Sequence, residues 1–248
     1  YVVLTATAAM GMSPMLGILA AVIVCTVLGV TIERVAYRPL RNAASSLAVL
    51  ITAIGVSYLL QNVALLLFGA DTKSFTSVVS IPAVTLAGGD LTITGETMVT
   101  IAACIIIMAG LTLFINKSKA GQAMLAVSED KGAAQLMGIN VNGTIALTFA
   151  IGSALAAIAS VLLCSAYPSL TPYTGAMPGI KAFVAAVFGG IGSIPGAMIG
   201  GILLGVIEIL GKAYISSQMA DAIVFAVLIV VLLVKPTGIL GKQVQEKV

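Results

Sequence analysis

Four side chains interrupt an otherwise apolar sequence at places where polar chemistry is expensive: Gln61, Asn62, Lys181 and Glu208. A charge at the centre of a membrane helix costs about 2.5 to 3.5 kcal/mol on insertion scales, so Glu208, well inside an apolar segment, needs a partner or water. Lys181 opens the first half of a glycine-rich stretch whose second half Glu208 closes. One reading pairs them across neighbouring helices. The other has Glu208 reaching back to the outer interface or bonding a backbone group. Gln61 and Asn62 lie deep in another apolar run, where carboxamides join helices first and line a path second.

The sequence offers no catalytic or metal-binding constellation. It has no His, and Cys25, Cys104 and Cys164 sit singly in apolar runs without Cys-x-x-Cys spacing. Gly211-Lys212 is followed by Ala213 and Gly241-Lys242 by Gln243, so the phosphate-cradling loop of a P-loop ATPase is missing. Gly190 and Gly192 resemble the start of a dinucleotide fingerprint, but the third Gly and the soluble strand-helix unit are not there. No catalytic residue, metal or bound cofactor is expected.

The elements that hold these side chains must be membrane helices. Of 248 residues, 60% are hydrophobic and 8% charged, against roughly 25% charged in a soluble domain. The mean hydropathy is +1.16. Too little polar surface exists to cover a soluble fold, so the apolar side chains face lipid. At about 20 residues per crossing plus connections, about six to seven spans fit. A net charge of +3, scattered along the chain, leaves no nucleic-acid footprint.

Ser13–Ile32, Leu47–Phe68, Thr97–Ile115 and Thr144–Ala166 are each long enough to cross without a charge. Asp221–Val234 is a shorter closing span, which Ser216–Met219 would lengthen by a turn. Between them Gly179–Leu210 is too long for one straight crossing and is broken at Gly192-Ser193-Ile194-Pro195-Gly196. The piece before the break reaches only about 20 Å, short of a hydrocarbon core about 30 Å thick. It dips in or crosses obliquely inside the bundle. Gly192, Gly196 and Gly200 recur every four residues, as do Gly201 and Gly205, which gives faces for close helix packing or for a part in transport itself. The chain reads as one all-α, polytopic helix bundle over residues 1–248 with a discontinuous Gly-rich helix pair.

Basic residues set the orientation. Arg34, Arg38 and Arg41 crowd one connection; Lys117, Lys119 and Lys131 lie in the loop 116–143; Lys235, Lys242 and Lys247 lie in the tail. These three segments are expected in the cytoplasm. The segment 69–96, with Lys73 alone, and the segment 167–178, with no basic residue, are expected outside. Tyr37, Tyr167, Tyr173 and Tyr214, near the run ends, serve as interface anchors.

In the loop 116–143, Met124, Leu125, Val127, Ala134, Leu136 and Met137 give apolar faces to short helices between polar turns, and Gly138 is a natural C-terminal stop. Such a knob is either an interfacial amphipathic helix or a dock for a cytoplasmic partner. It also carries a resemblance. Ala126, Glu129, Asp130, Ala134, Gly138 and Ile139 meet the pattern Ala-x-x-Glu-Asp-x-x-x-Ala-x-x-x-Gly-Ile of the permease subunits of branched-chain amino acid ABC importers, the high-affinity leucine, isoleucine and valine type. Ile32–Arg41, Lys181-Ala182-Phe183 through Gly189–Gly201, and Pro236–Gly241 are similar to the same subunits, so the resemblance covers almost the whole chain.

The resemblance implies an all-α permease in the bacterial cytoplasmic (inner) membrane that forms a translocation path with a second, related permease. It implies two cytoplasmic ATPase subunits, held through a coupling loop that includes Gly121, Ala126, Glu129, Asp130, Ala134, Gly138 and Ile139, and an extracytoplasmic substrate-binding protein. ATP is then used by the partners, and no cofactor is bound by this chain. Family members usually carry a further membrane segment upstream of the region matching Tyr1, so the chain looks N-terminally incomplete. Related permeases serve other amino acids, amides or urea. A self-sufficient carrier would need its own solute or ion site near the midplane, for which intramembrane polar groups are few. A non-transporting scaffold is a third class, and an intramembrane enzyme the weakest, since no nucleophile-base pair is visible.

Overall fold

The computed structural model describes residues 1–8, 11, 13–42, 46–75, 84–86, 91–235 and 237–241. Pro236 and the tail lysines Lys242 and Lys247 lie outside the described residues. The helices are α1 (Val2–Ala8), α2 (Pro14–Ile32), α3 (Ser46–Phe68), α4 (Gly95–Lys117), α5 (Lys119–Glu129), α6 (Lys131–Leu136), α7 (Val141–Ala166), α8 (Ala176–Gly189), α9 (Ile194–Tyr214) and α10 (Ala220–Val234). A π-helical turn over Glu33–Tyr37 and a 3-10 turn over Pro39–Asn42 follow α2. Four strands complete the described elements: β1 (Lys73–Ser74), β2 (Val84–Leu86), β3 (Leu91–Ile93) and β4 (Ser169–Leu170).

Local sequence explains where the helices begin. Ser13 is extended and Pro14 follows at the first helical position, where a missing N–H costs nothing. Asn140 Oδ1 accepts from the Gly143 N–H at 3.0 Å and caps α7, and Ser193 Oγ accepts from the Gly196 N–H at 3.1 Å and caps α9. Among the described residues, five helices are long and apolar enough to cross a bilayer: Pro14–Tyr37, Ala48–Phe68, Gly95–Lys117, Val141–Ala166 and Ile194–Tyr214. The chain is a multi-pass, all-α membrane protein.

Two further apolar helices are short, as the sequence indicates, and only the extra turn before the last one does not form. At 14 and 15 residues, α8 and α10 reach only about 21 and 23 Å. The segment Ser216–Met219 does not lengthen α10. The N–H groups of Ile215 and Ser216 both bond to Gly211 O at 3.0 Å, which ends α9, and the Met219 N–H bonds back to Ser216 O at 3.3 Å. Those residues are consumed by the reversal between α9 and α10.

The described chain groups into two compact units, one holding Tyr1–Ile105 and Leu113–Tyr173, the other Ile106–Thr112 and the chain from Thr174. In the first, α2 packs along α7. They approach closely where Gly29 faces Ser153: a Cβ on Gly29 would collide with the Ser153 side chain and lie 3.4 Å from Phe149 O. Tyr37 and Phe149 pack their rings 5.0 Å apart near that end. A core of Val3, Ala21, Phe75, Val161, Cys164 and Leu170 joins α1, α2 and α7. β1 pairs antiparallel with β4 (Lys73↔Leu170) and β2 with β3 (Val84↔Ile93, Leu86↔Leu91). Two- and three-residue strands carry no readable alternation, which is why the sequence showed only connections there. In the second unit α8, α9 and α10 enclose Val184, Phe188, Leu204 and Val224.

Candidate functional site

The loop between α4 and α7 is built from three local devices. Ser118 ends α4 and starts α5, its Oγ accepting from the Gly121 N–H at 2.9 Å. Gly121 rests directly on the end of α4, since an added Cβ would lie 2.5 Å from Phe114 O. Asp130 Oδ1 accepts from the N–H groups of Gly132 at 2.8 Å and Ala133 at 3.0 Å, capping α6. Gly138 then takes φ +80°. With the Gly138 N–H on Gln135 O and the Ile139 N–H on Ala134 O, both at 3.0 Å, α6 closes in a Schellman motif that a left-handed glycine permits.

This closure divides the loop's apolar residues. Val127 and Ala134 are buried, while Leu136 and Met137 stand 90% and 82% exposed and Leu125 43%. Glu129 and Lys131 are exposed beside them. Two large apolar side chains flanked by charge at a rigid turn form a surface that a partner can cover. Ala126 and Ile139 are half-buried and shape the loop from within.

The Gly-rich pair folds as an antiparallel hairpin of α8 and α9. A Cβ on Gly196 would lie 2.5 Å from Gly189 O, and one on Gly200 2.5 Å from Ala185 O, so two backbones meet without side chains between them. The other regularly spaced glycines do different things. Gly192 sits in the turn at φ +90° with nothing within 4 Å of its Cβ position, Gly205 also meets nothing, and Gly201 meets only Ala185 Cβ at 3.8 Å. Gly189 joins the contact with Gly196, while Gly190 meets Gly238 and the segment after α10, a contact that spacing did not single out. The N–H groups of Ile239 and Leu240 bond to Phe188 O at 3.0 Å and Gly189 O at 2.9 Å. They satisfy carbonyls at the end of α8 that have no partner within the helix.

At the other end of this hairpin four charges gather. Lys181 Nζ lies 2.9 Å from Glu208 Oε1 and 2.7 Å from Asp221 Oδ1, and Lys212 Nζ lies 2.6 Å from the same Glu208 oxygen. The cluster is electrically balanced, and its least exposed side chain is Glu208 at 18%. Asp221 was not singled out, although an acid in the first turn of an apolar run is where a helix start places one. No group of three or more His, Cys, Asp or Glu able to hold a metal occurs among the described residues.

Gln61 and Asn62 bond to their own helix. Gln61 Nε2 donates to Ser57 Oγ at 3.4 Å and Asn62 Nδ2 to Tyr58 O at 2.8 Å. Among the described residues they make no helix-joining bond, and α3 buries no residue from Ala48 to Phe68. A groove of about 400 Å³ between α2 and α3, lined by Ile23, Val24, Val27, Leu28, Thr31, Ile32 and Leu60, is almost wholly aliphatic.

Comparison with known proteins places this architecture. Residues 1–232 match the family described as branched-chain amino acid transport system, permease component. The chain is 47% identical over 234 residues to the high-affinity branched-chain amino acid transport system permease protein LivH of Salmonella typhimurium, covering 94% of this chain and 76% of that protein. LivH of Escherichia coli strain K12 gives the same identity and coverage. BraD of Pseudomonas aeruginosa, named as a permease protein of the same kind of system, is 47% identical over 233 residues, 92% of this chain and 75% of its own. No solved structure gives a significant match. The chain belongs to the family of branched-chain amino acid transport system permease components.

Proposed function

We propose that this chain is the transmembrane permease subunit of an ABC importer for branched-chain amino acids in the bacterial inner membrane. It forms the translocation path with a second, related permease, is driven by two cytoplasmic ATPase subunits, and is loaded by an extracytoplasmic binding protein. The observation that carries this reading is likeness across nearly the whole chain to permeases whose names specify that solute class. The exposed Leu136–Met137 turn supports it, because a subunit without a phosphate-binding loop must receive motion from another chain through a stiff contact. In this reading the segment from Gly121 to Ile139 is the coupling loop, and Gly196 and Gly200 fix the hairpin.

Co-expression with the products of neighbouring genes, followed by co-purification and uptake of labelled leucine, valine, isoleucine and urea, tests it. ATP-dependent uptake of the three branched amino acids is the expected result. Uptake of urea or an amide alone moves the chain to a related importer. Uptake without ATPase subunits makes it a self-sufficient carrier, and a fully assembled complex that moves no solute makes it a scaffold.

A further inference from the structure

α3 carries polar side chains that lipid does not account for and that, among the described residues, bond only within their own helix. Ser57, Tyr58, Gln61 and Asn62 lie in the middle of a 23-residue helix, and at about 100° per residue they share an arc of about 140° on its surface. Of the five helices able to cross a bilayer, α3 alone carries carboxamides away from its ends, Gln61 and Asn62; Asn116 lies at the end of α4 and Asn142 at the start of α7. Ser57, Tyr58 and Asn62 are exposed, and Tyr58 reaches 62%. Each carboxamide has hydrogen-bonding positions for about four partners and spends one of them on its own helix. Such groups do not rest in hydrocarbon; they face a bundle interior or water.

The geometry points to this face of α3 as part of the solute path, where it binds the polar ends of a zwitterionic amino acid; the inference rests on the function proposed above and names the groups that meet its substrate. A carboxamide offers a donor to a carboxylate and an acceptor to an ammonium, and Ser57 and Tyr58 each offer both. The face carries no charge, so it can hold a zwitterion without trapping it, as conduction requires. The polar cluster of Lys181 and Lys212 with Glu208 and Asp221 is already neutralised by its own ion pairs. Ser57 apart, the face consists of large side chains, unlike the small-residue surfaces through which membrane helices pack closely.

The test uses the assembled importer with Cys25, Cys104 and Cys164 replaced by Ala, and single cysteines introduced as Ser57→Cys, Asn62→Cys, Val63→Cys and Leu67→Cys. The last two lie outside the polar arc and serve as controls. The probe is a permanently charged methanethiosulfonate reagent, which requires an ionised thiol in water. Cysteines at 57 and 62 are expected to react at least about tenfold faster than those at 63 and 67, and saturating leucine is expected to slow them. In the parent chain, Asn62→Leu is expected to raise the KM for uptake about tenfold, the equivalent of one lost hydrogen bond, with unchanged amounts in the membrane, and Asn62→Gln to restore it. Thiols as silent as the controls overturn the inference, as does disulfide cross-linking of the position-62 cysteine to the second permease. Reactive thiols that leucine does not protect, with KM unchanged, overturn the solute-binding part. A wild-type complex that takes up no branched amino acid refutes the proposed function instead, while reactive thiols still place this face on an aqueous path.

Discussion

Lys181 on α8 meets Glu208 on α9 at 2.9 Å, and the same ammonium reaches Asp221 on α10 at 2.7 Å. One side chain thereby ties three helices near their common end. The geometry is cheap to hold because Glu208 also receives Lys212 from one turn along its own helix.

Removing the tie should cost more than removing its helper. Lys181→Met removes the cation shared by Glu208 and Asp221 and leaves Lys212 on Glu208 alone, and the side chains are part-buried, so the loss lies between the surface and buried limits, about 1 to 3 kcal/mol. Lys212→Ala deletes an exposed partner and should cost less than about 1 kcal/mol. Thermal midpoints of the purified variants check the order. In a double-mutant cycle with Glu208→Gln, the effect of Lys181→Met should shrink; equal midpoints for Lys181→Met and Lys212→Ala would remove the three-helix tie.

The hairpin supplies its own control for the packing of small residues. Gly196 and Gly205 both lie on α9, yet a Cβ at the first would strike Gly189 O at 2.5 Å and at the second would meet nothing within 4 Å. Gly196→Leu should therefore abolish recovery of monodisperse protein, while Gly205→Leu should leave it near the wild-type level. Equal recovery of the two variants contradicts the contact.

A third expectation concerns the turn after α10. The amides of Ile239 and Leu240 close the end of α8, and a Cβ on Gly238 would come within 2.6 Å of the Gly190 backbone. Gly238→Ala should push this turn away, and hydrogen exchange at the amides of Ile239 and Leu240 should accelerate while amides in the middle of α9 stay protected. Unchanged exchange at 239 and 240 would show that the turn does not seal the helix.

Sidedness follows from the distribution of Lys and Arg. Ser128→Cys in the α5–α6 loop and Tyr173→Cys before α8 should react with an impermeant reagent from opposite faces of the membrane, the first from the cytoplasm. Both positions are on the surface, Tyr173 at 54% exposure. Labelling of both from one side would invalidate the assigned topology.

The long apolar runs were legible because a membrane forces backbone self-satisfaction, so Pro14–Ile32 and Val141–Ala166 announce helices by length and lack of charge. The break near Pro195 was legible for the same reason that Pro and Gly interrupt any helix. Regular spacing at Gly192 and Gly205 marks a helix face without saying what faces it, and among the described residues nothing lies within 4 Å of either Cβ position. The meeting of Gly238 with Gly190 was not legible, because it joins segments far apart in the chain. The outward turn of Leu136 and Met137 depends on a backbone closure at Gly138; composition showed their apolarity but not their direction.

The last prediction separates the shape of the α5–α6 loop from its surface. Gly138→Val places a β-branched residue at φ +80°, which costs about 1 to 2 kcal/mol and opens the Schellman closure, so the turn should lose its fixed direction. Gly138→Asn should be much milder, since Asn tolerates that conformation. Leu136→Ser with Met137→Ser changes only exposed side chains and should leave stability within about 0.5 kcal/mol of wild type. Glu129→Lys reverses an exposed charge at the same surface. If this surface seats an ATPase, Gly138→Val, the Leu136/Met137 pair and Glu129→Lys should all reach the membrane yet lose attached ATPase or its stimulation by loaded binding protein, while Gly138→Asn keeps both. The measurement is ATPase recovered per permease, followed by stimulated hydrolysis. Wild-type recovery and stimulation in the Leu136/Met137 variant would mean that the exposed pair touches no ATPase, and the loop would then be a surface helix lying against lipid headgroups.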